Sequence, residues 1–410
     1  MTLVVRAEVL IPGRGEPVEN GVMVAEGATI TYAGSESEAP SPRDATTEEV
    51  AVLLPGLWDC HAHLFGSTQW NLESATWLPP ATSGARAASD LASYIAGGVT
   101  SVREVGGYGV EMAAVVAEGS LVGPAIYGAG AVLSTTGGHG DVHAIPADVY
   151  ESLAEHGRIL GRLADGPAEC TKAVREQLRR GARVIKICAS GGVMSEVDHP
   201  VHQQFSDEEL EAIVAEARRA ERVVAAHCHG KPGIMAALRA GAGTIEHGTY
   251  LDEEAADLMK EKGAILVATR FIVEELMGLE EKLPPYAWKK ISAMADQHAQ
   301  ALKIAVASGV KIAMGTDIFT SGPVEGYRYR QASREIRHLC EAGMSPLEAI
   351  ESATAIGPET LGPQGPRVGI LGDGYAADFI SLDRNPLDDL SVWGDSDRVQ
   401  GVWKGGRRVK

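Results

Sequence analysis

Two histidines separated by one residue are the first feature of this chain that can bind a metal. They lie in the segment Asp59-Cys60-His61-Ala62-His63, at the end of a predicted strand. On a strand, side chains two residues apart share a face, so both imidazoles point the same way and can hold one ion. Such a pair also arises by chance at a strand end, and the assignment therefore needs further ligands.

Three further candidate ligands lie at the predicted ends of later strands: His227, His247 and Asp317. The C-terminal ends of the strands of a parallel barrel converge on one mouth. Histidines that only fill a core would not be expected to gather at these ends. The set therefore predicts a metal site with nitrogen and oxygen ligands.

A lysine inside an apolar strand is the remaining clue. Lys186 lies in the segment Arg183-Val184-Ile185-Lys186-Ile187-Cys188-Ala189. Burial disfavours an unpaired ammonium and lowers the pKa of lysine, which leaves a reactive neutral amine. A neutral amine can take up CO₂ to form a carbamate, whose oxygens can bridge two cations. A salt bridge at the strand end is the alternative for this residue.

Strands and helices that can position these residues alternate from residue 56 onward. The predicted strands are Leu57–His63, Thr100–Val105, Ala125–Ala129, Arg183–Ala189, Val223–His227, Thr244–His247, Ala264–Thr269 and Lys311–Thr316. The predicted helices are Gly84–Ala96, Val110–Glu118, Thr171–Arg180, Asp207–Glu221, Gly233–Arg239, Asp252–Lys262, Tyr286–Ser308 and Tyr327–Glu341. This alternation predicts an α/β fold with a parallel sheet closed into a (β/α)₈ TIM barrel. A doubly wound open sheet is the alternative, but Gly106-Gly107-Tyr108-Gly109 does not match the phosphate loop expected there.

The two ends of the chain have a different character. Residues 1–55 and 365–410 contain short strands and turns. We expect them to pair as one small β-sandwich domain beside a catalytic barrel formed by residues 56–364.

Composition and charge exclude several classes of protein. A net charge of −18 without a long basic run argues against a nucleic-acid binder. Five scattered cysteines predict neither a disulfide framework nor a cysteine zinc site. The N-terminal residues do not have the pattern of a signal peptide, and apolar runs stay shorter than a membrane span. These features predict a cytoplasmic protein that binds neither nucleic acid nor membrane.

The candidate ligands together resemble those of the binuclear branch of the amidohydrolase superfamily. They are His61, His63, Lys186, His227, His247 and Asp317, on predicted strands one, four, five, six and eight. More closely, four segments resemble the imidazolonepropionase-related group, which includes prolidase-like dipeptidases, carboxypeptidases and an ochratoxin-hydrolysing amidase. These segments are Gly191-Gly192-Val193-Met194, Phe205-Ser206, Ala226-His227-Cys228-His229-Gly230 and Ile245-Glu246-His247-Gly248-Thr249. The resemblance covers nearly the whole chain.

This resemblance implies two divalent metal ions. His61, His63 and Asp317 would hold the more buried ion, and His227 and His247 the outer one. Zinc suits these ligand types, and manganese, cobalt or nickel would accept the same mixed set.

The resemblance also implies a mechanism. Lys186, as N6-carboxylysine, would bridge the two ions. A hydroxide shared by the metals would attack the amide carbonyl, and Asp317 would act as general base and then as general acid toward the leaving nitrogen. Relatives commonly assemble, which implies a homo-oligomer.

Two further histidines are candidate substrate contacts. His139, in a glycine-rich loop after strand three, is a candidate catalytic residue that would polarise the scissile carbonyl or bind a carboxylate. A surface position is its alternative. His229 shares a face with His227 and is expected to line the pocket, but an exchange of roles between the two stays open.

Tyr250 and Arg270 are the other candidate substrate contacts. They follow strands six and seven. The guanidinium of Arg270 would suit a substrate carboxylate through its bidentate fork, or it would pair with an acidic neighbour such as Glu274.

The resulting expectation is a binuclear amidohydrolase that cleaves an amide or peptide bond in a small molecule such as a dipeptide or an N-acyl amino acid. Ring opening of a cyclic amide, as in imidazolonepropionase, is disfavoured by the bridging Lys186. A carbamate or urea hydrolase remains an alternative. A non-catalytic metal-binding barrel is disfavoured because Asp317 is present.

Overall fold

The computed structural model describes residues 2–155, 161–322 and 327–410. The strands of these ranges are β1 (Thr2–Leu10), β2 (Val18–Glu26), β3 (Thr29–Ser35), β4 (Thr46–Pro55), β5 (Leu57–Ser67), β6 (Val99–Gly107), β7 (Ala125–Gly128), β8 (Val132–Ser134), β9 (Gly161–Leu163), β10 (Ile185–Cys188), β11 (Val224–Cys228), β12 (Thr244–His247), β13 (Ile265–Val267), β14 (Ile312–Ala313), β15 (Ile318–Thr320), β16 (Phe379–Leu382), β17 (Val399–Lys404) and β18 (Arg407–Arg408). The α-helices are α1 (Leu72–Thr76), α2 (Pro80–Ala96), α3 (Gly109–Ala117), α4 (Ala147–Glu155), α5 (Pro167–Arg180), α6 (Asp207–Arg219), α7 (Lys231–Ala240), α8 (Glu253–Lys262), α9 (Arg270–Met277), α10 (Pro285–Ala307), α11 (Tyr327–Arg330), α12 (Arg334–Glu341) and α13 (Pro346–Ser352).

Two parallel sheets carry the predicted ligands. One has the order β15-β5-β6-β7 and the other β14-β13-β12-β11-β10-β8-β9. The chain runs from one sheet to the other within residues 125–134 and again within residues 312–320. Backbone hydrogen bonds also cross between the sheets, from Cys60 N to Met314 O at 2.8 Å and from Arg183 N to Gly128 O at 2.8 Å. The predicted α/β alternation with parallel pairing is confirmed.

The last predicted strand and the last predicted helix are both interrupted. The strand expected over 311–316 is reduced to β14, and Asp317 follows it with a left-handed backbone at φ 59°. This conformation breaks the ladder before β15 begins. The helix expected over 327–341 consists of α11 and α12, because a turn at 331–333 separates them.

Local signals place the helices as expected. Ser206 and Glu209 form the predicted capping box of α6, each side chain bonding the backbone of the other. Gly181, Gly241 and Gly263 end α5, α7 and α8 in the left-handed conformation that glycine adopts without strain. Among the described ranges, no helix combines the length and the apolar character needed to cross a bilayer.

The two ends of the chain form one further sheet, of order β18-β17-β16-β4-β1-β2-β3. Within it β1 pairs with β2 antiparallel and with β4 parallel, while β16 pairs antiparallel with β4. Phe379 and Trp403 stack on one face, with ring centroids 4.7 Å apart, and they pack with buried residues such as Val5 and Met23. The inferred pairing of the two ends is therefore confirmed, and the two-layer sandwich stays a prediction.

Replacement of Trp403 tests how much the terminal sheet contributes to stability. Trp403→Ala deletes a fully buried ring, so we expect the free energy of unfolding to fall by about 3–5 kcal/mol in urea denaturation. The exposed residue Gln400 lies on the same strand, and Gln400→Ala should change this energy by no more than about 0.5 kcal/mol. Equal effects of the two substitutions would contradict the packing described for β17.

Candidate metal centre and active site

A cavity of about 120 Å³ opens where the C-terminal ends of the parallel strands meet. All six predicted metal ligands line it, and so do His139 and His229. The complete lining is His61, His63, Phe65, Leu72, Val132, His139, Gly140, Val142, Lys186, Cys188, Val193, Met194, His227, His229, His247, Ile272, Val273, Leu276, Ile291, Asp317 and Phe319. Residues far apart in the chain are thus brought together, as we expected from their positions at the ends of the predicted strands.

His61 and His63 direct bare nitrogens at one carboxylate. Nδ1 of His63 donates to the carbonyl oxygen of Gly106 at 2.8 Å, and Nδ1 of His61 donates to Glu246 Oε2 at 2.8 Å. A neutral imidazole carries one hydrogen, so Nε2 of each ring keeps its lone pair. These Nε2 atoms lie 3.1 Å (His63) and 3.5 Å (His61) from Oδ1 of Asp317. Three acceptor atoms that face one another repel unless a cation or a proton lies between them.

A second group of nitrogens lies beside the first. His227 Nε2 donates to the carbonyl oxygen of Gly191 at 3.2 Å, which leaves its Nδ1 facing His247 Nε2 at 2.9 Å. The ring of His229 stacks on that of His247, with centroids 4.8 Å apart. Within the described residues, His227, His229 and His247 form one group that could hold a metal, and His61, His247 and Asp317 form another. His247 therefore belongs to both groups.

Lys186 lies on β10, next to the group that contains His61. It is buried, and its Nζ is 3.3 Å from Nε2 of His61. Burial lowers the pKa of Lys186 against the opposing pull of Glu246 and Asp317. Because Nε2 of His61 is bare, the amine of Lys186 can donate to it, and the lowered pKa favours this neutral form or a chemically modified one.

Neutral imidazoles are the form that binds metal, and burial favours this form. It lowers the pKa of His61 to about 4 and that of His229 to about 3. Burial likewise holds the pKa of His227 and of His247 well below the usual range. The donor set is therefore chemically suited to divalent metal ions.

Two of the predicted ligands have a backbone conformation that is rare for residues other than glycine. His247 has φ 69° and Asp317 has φ 59°, and Thr269 at the end of the intervening strand has φ 57°. Such strain is found mainly where the surrounding structure enforces it at functional sites. Thr269 Oγ1 lies 2.7 Å from Nδ1 of His247 and helps to orient this ring.

A buried ion pair under His61 was missed by sequence reasoning. Arg103, on β6, directs its Nη2 at both oxygens of Glu246, each at 2.7 Å. The guanidinium also donates to Cys60 O and to Thr244 Oγ1. Burial alone would raise the pKa of Glu246, but Arg103 and His61 hold it far below the usual range. An arginine inside an apolar strand is the same signal that singled out Lys186, and it could have identified Arg103.

Asp59 links the strands that carry His61 and Asp317. Its Oδ1 accepts from His61 N at 3.1 Å and from Thr316 N at 3.0 Å, and its Oδ2 accepts from Tyr94 at 2.9 Å and from the Thr316 hydroxyl at 2.5 Å. Burial raises the pKa of Asp59 to about 6 in spite of these bonds. The sequence contained this residue within the first motif but gave no reason to assign it this role.

Two predicted substrate contacts lie elsewhere. Among the described residues, Tyr250 and Arg270 do not line the cavity. The Arg270 guanidinium donates to Ala295 O at 2.7 Å and to Glu274, so the alternative of an acidic partner is the one observed. Tyr250 packs against an apolar cluster that borders the cavity. Their assignment as substrate contacts stays a prediction, because strand position alone does not fix the direction of a side chain.

Comparisons with known proteins identify the family of this chain. The model of the amidohydrolase family matches residues 52–409. Ochratoxinase from Aspergillus niger is 44% identical over 424 residues, covering 99% of this chain and 86% of that protein. Its crystal structure superimposes with a TM-score of 0.94, covering 100% of this chain and 95% of that chain.

Two more relatives have other activities. A prolidase complexed with N-methylphosphonate-L-proline is 33% identical, with a TM-score of 0.91 and full coverage of both chains. An imidazolonepropionase from Pseudomonas fluorescens is 25% identical over 426 residues, covering 96% of this chain and 94% of that protein. The predicted resemblance to this superfamily and group is confirmed.

Removal of the Glu246 charge tests the buried pair. Glu246→Gln leaves the Arg103 guanidinium uncompensated, so we expect the free energy of unfolding to fall by about 3 kcal/mol or more. Glu216 is the matched control, because it bonds Arg175 and Arg219, which are both exposed. Glu216→Gln should cost at most about 1 kcal/mol in the same denaturant titration. A Glu246 variant as stable as the Glu216 variant would contradict this role of the pair.

Proposed function

We propose that this chain, which belongs to the amidohydrolase family and is an amide-bond hydrolase, cleaves a dipeptide or an N-acyl amino acid at a binuclear metal centre. One observation carries the proposal. Bare imidazole nitrogens and a carboxylate oxygen face one another in a buried cavity, in two groups that share His247. A divalent cation would remove the repulsion between the atoms around Asp317, and a second one could replace the hydrogen between His227 and His247.

The proposal includes the closed barrel. The two parallel sheets would be the two parts of one (β/α)₈ barrel, supported by the backbone hydrogen bonds that cross at both borders. The boundaries at residues 56–364 for the barrel, and at residues 1–55 with 365–410 for the terminal domain, belong to the same proposal.

The ligand assignment is the one that the resemblance to the superfamily implies, and it includes His63, whose Nε2 lies 3.1 Å from Asp317 Oδ1. His61, His63 and Asp317 would hold one ion, and His227 and His247 the other. His229 contacts both His227 and His247, so it would either line the substrate site or exchange roles with His227.

Lys186, as a carbamate, would bridge the pair of ions. Its burial favours the neutral amine that reacts with CO₂. When bound, two divalent cations, zinc by ligand type, would supply Lewis-acid activation of water and of the scissile carbonyl.

Asp317 would move the proton. Burial alone would raise its pKa, whereas a cation held by the neutral rings of His61 and His63 would keep the carboxyl ionised. Asp317 is therefore ionised at neutral pH and can accept a proton from the attacking water. Delivery of this proton to the leaving nitrogen is required, because an amide anion is a poor leaving group.

The substrate class rests on the cavity and on the relatives. One side of the cavity is apolar and consists of Phe65, Leu72, Val193, Met194, Ile272, Val273, Leu276, Ile291 and Phe319. Such a wall suits an amide with a bulky apolar group. The ligand of the similar prolidase carries phosphonate on the nitrogen of an amino acid, and this favours an amino-acid leaving group here.

A hydrolysis screen tests the proposed function. We expect the zinc-loaded protein to hydrolyse N-acyl amino acids or dipeptides with apolar side chains. The reaction is measured by the amount of free amino acid that is released. Asp317→Asn should lower kcat by about 100-fold or more, because the amide cannot accept the proton. Asp252→Asn, which alters the capping residue of α8, should leave kcat unchanged. Full turnover by Asp317→Asn would contradict the assigned role.

Carboxylation of Lys186 has its own test. After incubation with ¹³C-labelled bicarbonate and zinc, the protein should show one carbamate carbon by NMR, and Lys186→Met should lack it. Lys290→Met, which replaces a lysine outside the lining, should keep the signal. A spectrum without a carbamate carbon would contradict the bridging role of Lys186.

A further inference from the structure

His139 is connected to a network of polar residues outside the metal ligands. It lies in the loop that follows β8, and its ring stacks on that of His227 with centroids 4.4 Å apart. Nδ1 of His139 lies 2.8 Å from Oγ of Ser195. Gly192 approaches the ring so closely that a Cβ there would lie 2.2 Å from Nδ1. The ring is therefore fixed between Gly192 and His227.

Asp198 accepts hydrogen bonds on both oxygens from four donors. Ser195 Oγ and Lys290 Nζ contact Oδ1, the latter at 3.2 Å. Gly192 N and Gln204 Nε2 contact Oδ2, at 2.9 and 3.1 Å. Each of these contacts uses a lone pair of an ionised carboxylate, so no position is left for a hydrogen on Asp198.

The orientation of the Gln204 amide is fixed independently. Its Oε1 accepts from the backbone N–H of His139 at 3.1 Å, so its Nε2 is the end that faces Asp198. The backbone N–H of Gly192 can only donate, and the ammonium of Lys290 has no acceptor. Ser195 is thus the member of this group whose side chain can either donate or accept a hydrogen bond.

We propose that Ser195, Asp198 and Lys290 fix the hydrogen of His139 on Nδ1, so that Nε2 faces the cavity as a proton acceptor. The Ser195 hydroxyl must donate to Asp198, since two acceptors in such close contact would otherwise repel. The remaining lone pairs of Ser195 Oγ then accept from Nδ1–H of His139. Ser195, Asp198 and Lys290 are positioning residues, and His139 is the residue that meets the substrate.

The direction of this hydrogen bond decides what His139 can bind. A neutral ring with a bare Nε2 cannot donate to a carbonyl oxygen or to a carboxylate, which were the roles expected from the sequence. It accepts from an N–H or O–H donor, and the donors available in an amide hydrolase are the amide N–H, the attacking water and the leaving amine. Only the choice among these donors rests on the proposed function; the position of the hydrogen does not.

Nitrogen NMR measures the position of the hydrogen directly. The zinc-loaded protein labelled with ¹⁵N-histidine is studied at pH 8, where an ordinary imidazole is neutral. The His139 signals are identified by their loss in His139→Asn. We expect a protonated Nδ1 and a bare Nε2. A protonated Nε2 in the unaltered protein, alone or together with Nδ1, would overturn the proposal.

Asp198→Asn should reverse this arrangement. Gly192 N–H cannot turn away, so the new amide keeps its oxygen toward Gly192 and places its NH₂ toward Ser195. Lys290 retains two other acceptors, Gly192 O at 3.0 Å and Ser195 O at 2.6 Å. Ser195 then accepts from Asn and donates to Nδ1 of His139, which moves the ring hydrogen to Nε2. We expect this shift by NMR, together with a fall in kcat of about 100-fold and little change in KM.

A matched control separates this effect from a general loosening of the loop. Thr136 lies in the same loop as His139. Asp165 accepts from the backbone N–H of Thr136 at 3.1 Å and from the Thr136 hydroxyl at 2.6 Å. Asp165→Asn should leave the His139 signals and kcat unchanged. An Asp198→Asn protein that keeps the hydrogen of His139 on Nδ1 would refute the network. If this variant does not fold, the ring form of His139 in the unaltered protein and in Ser195→Ala tests the network instead. Ser195→Ala should show a mixture of the two ring forms.

The outcome for the network and that for the proposed function can be told apart. The expected ring form without turnover of any amide would refute the proposed function and leave the network intact. Turnover of N-acyl amino acids with the opposite ring form would refute the network alone.

Discussion

Buried nitrogen bases held close together at one rim of the parallel sheets are the constraint on which the rest of this structure depends. His61 and His63 direct bare nitrogens at Asp317, and His227 directs one at His247. The lone pairs around Asp317 repel, a hydrogen or a cation must lie between His227 and His247, and protonation of several neighbouring buried rings is disfavoured by desolvation. A site of this kind is stable when cations lie between the bases, which links the fold to metal binding.

The groups under the ligands reinforce this arrangement. Glu246 accepts from His61 and is held ionised by the fully buried Arg103, so the tautomer of His61 is fixed from below. Asp59 joins the backbone of His61 to that of Thr316, next to Asp317. Carboxylates that orient histidine ligands in this way are common around protein metal sites and raise the basicity of the rings.

The opposite side of the cavity is supported in a different manner. Ser195, Asp198 and Lys290 come from the loop after β10 and from α10; Ser195 contacts His139, and Asp198 contacts both Ser195 and Lys290. Carboxylates thus determine ring orientation on both sides, directly at His61 and through a hydroxyl at His139.

By itself the sequence determined the alternation of strands and helices and the six candidate ligands. These signals are local, because periodicity, caps and a charged residue within an apolar strand are each visible in a few consecutive residues. Only the tertiary structure decided which atoms meet. Arg103 and Glu246 are 143 residues apart in the chain. The side chain of Arg270 points toward Glu274 and Ala295, and this direction depended on packing against α10. The position of a hydrogen on His139 followed from four donors around Asp198, and contacts of this kind between distant segments leave no pattern in the sequence.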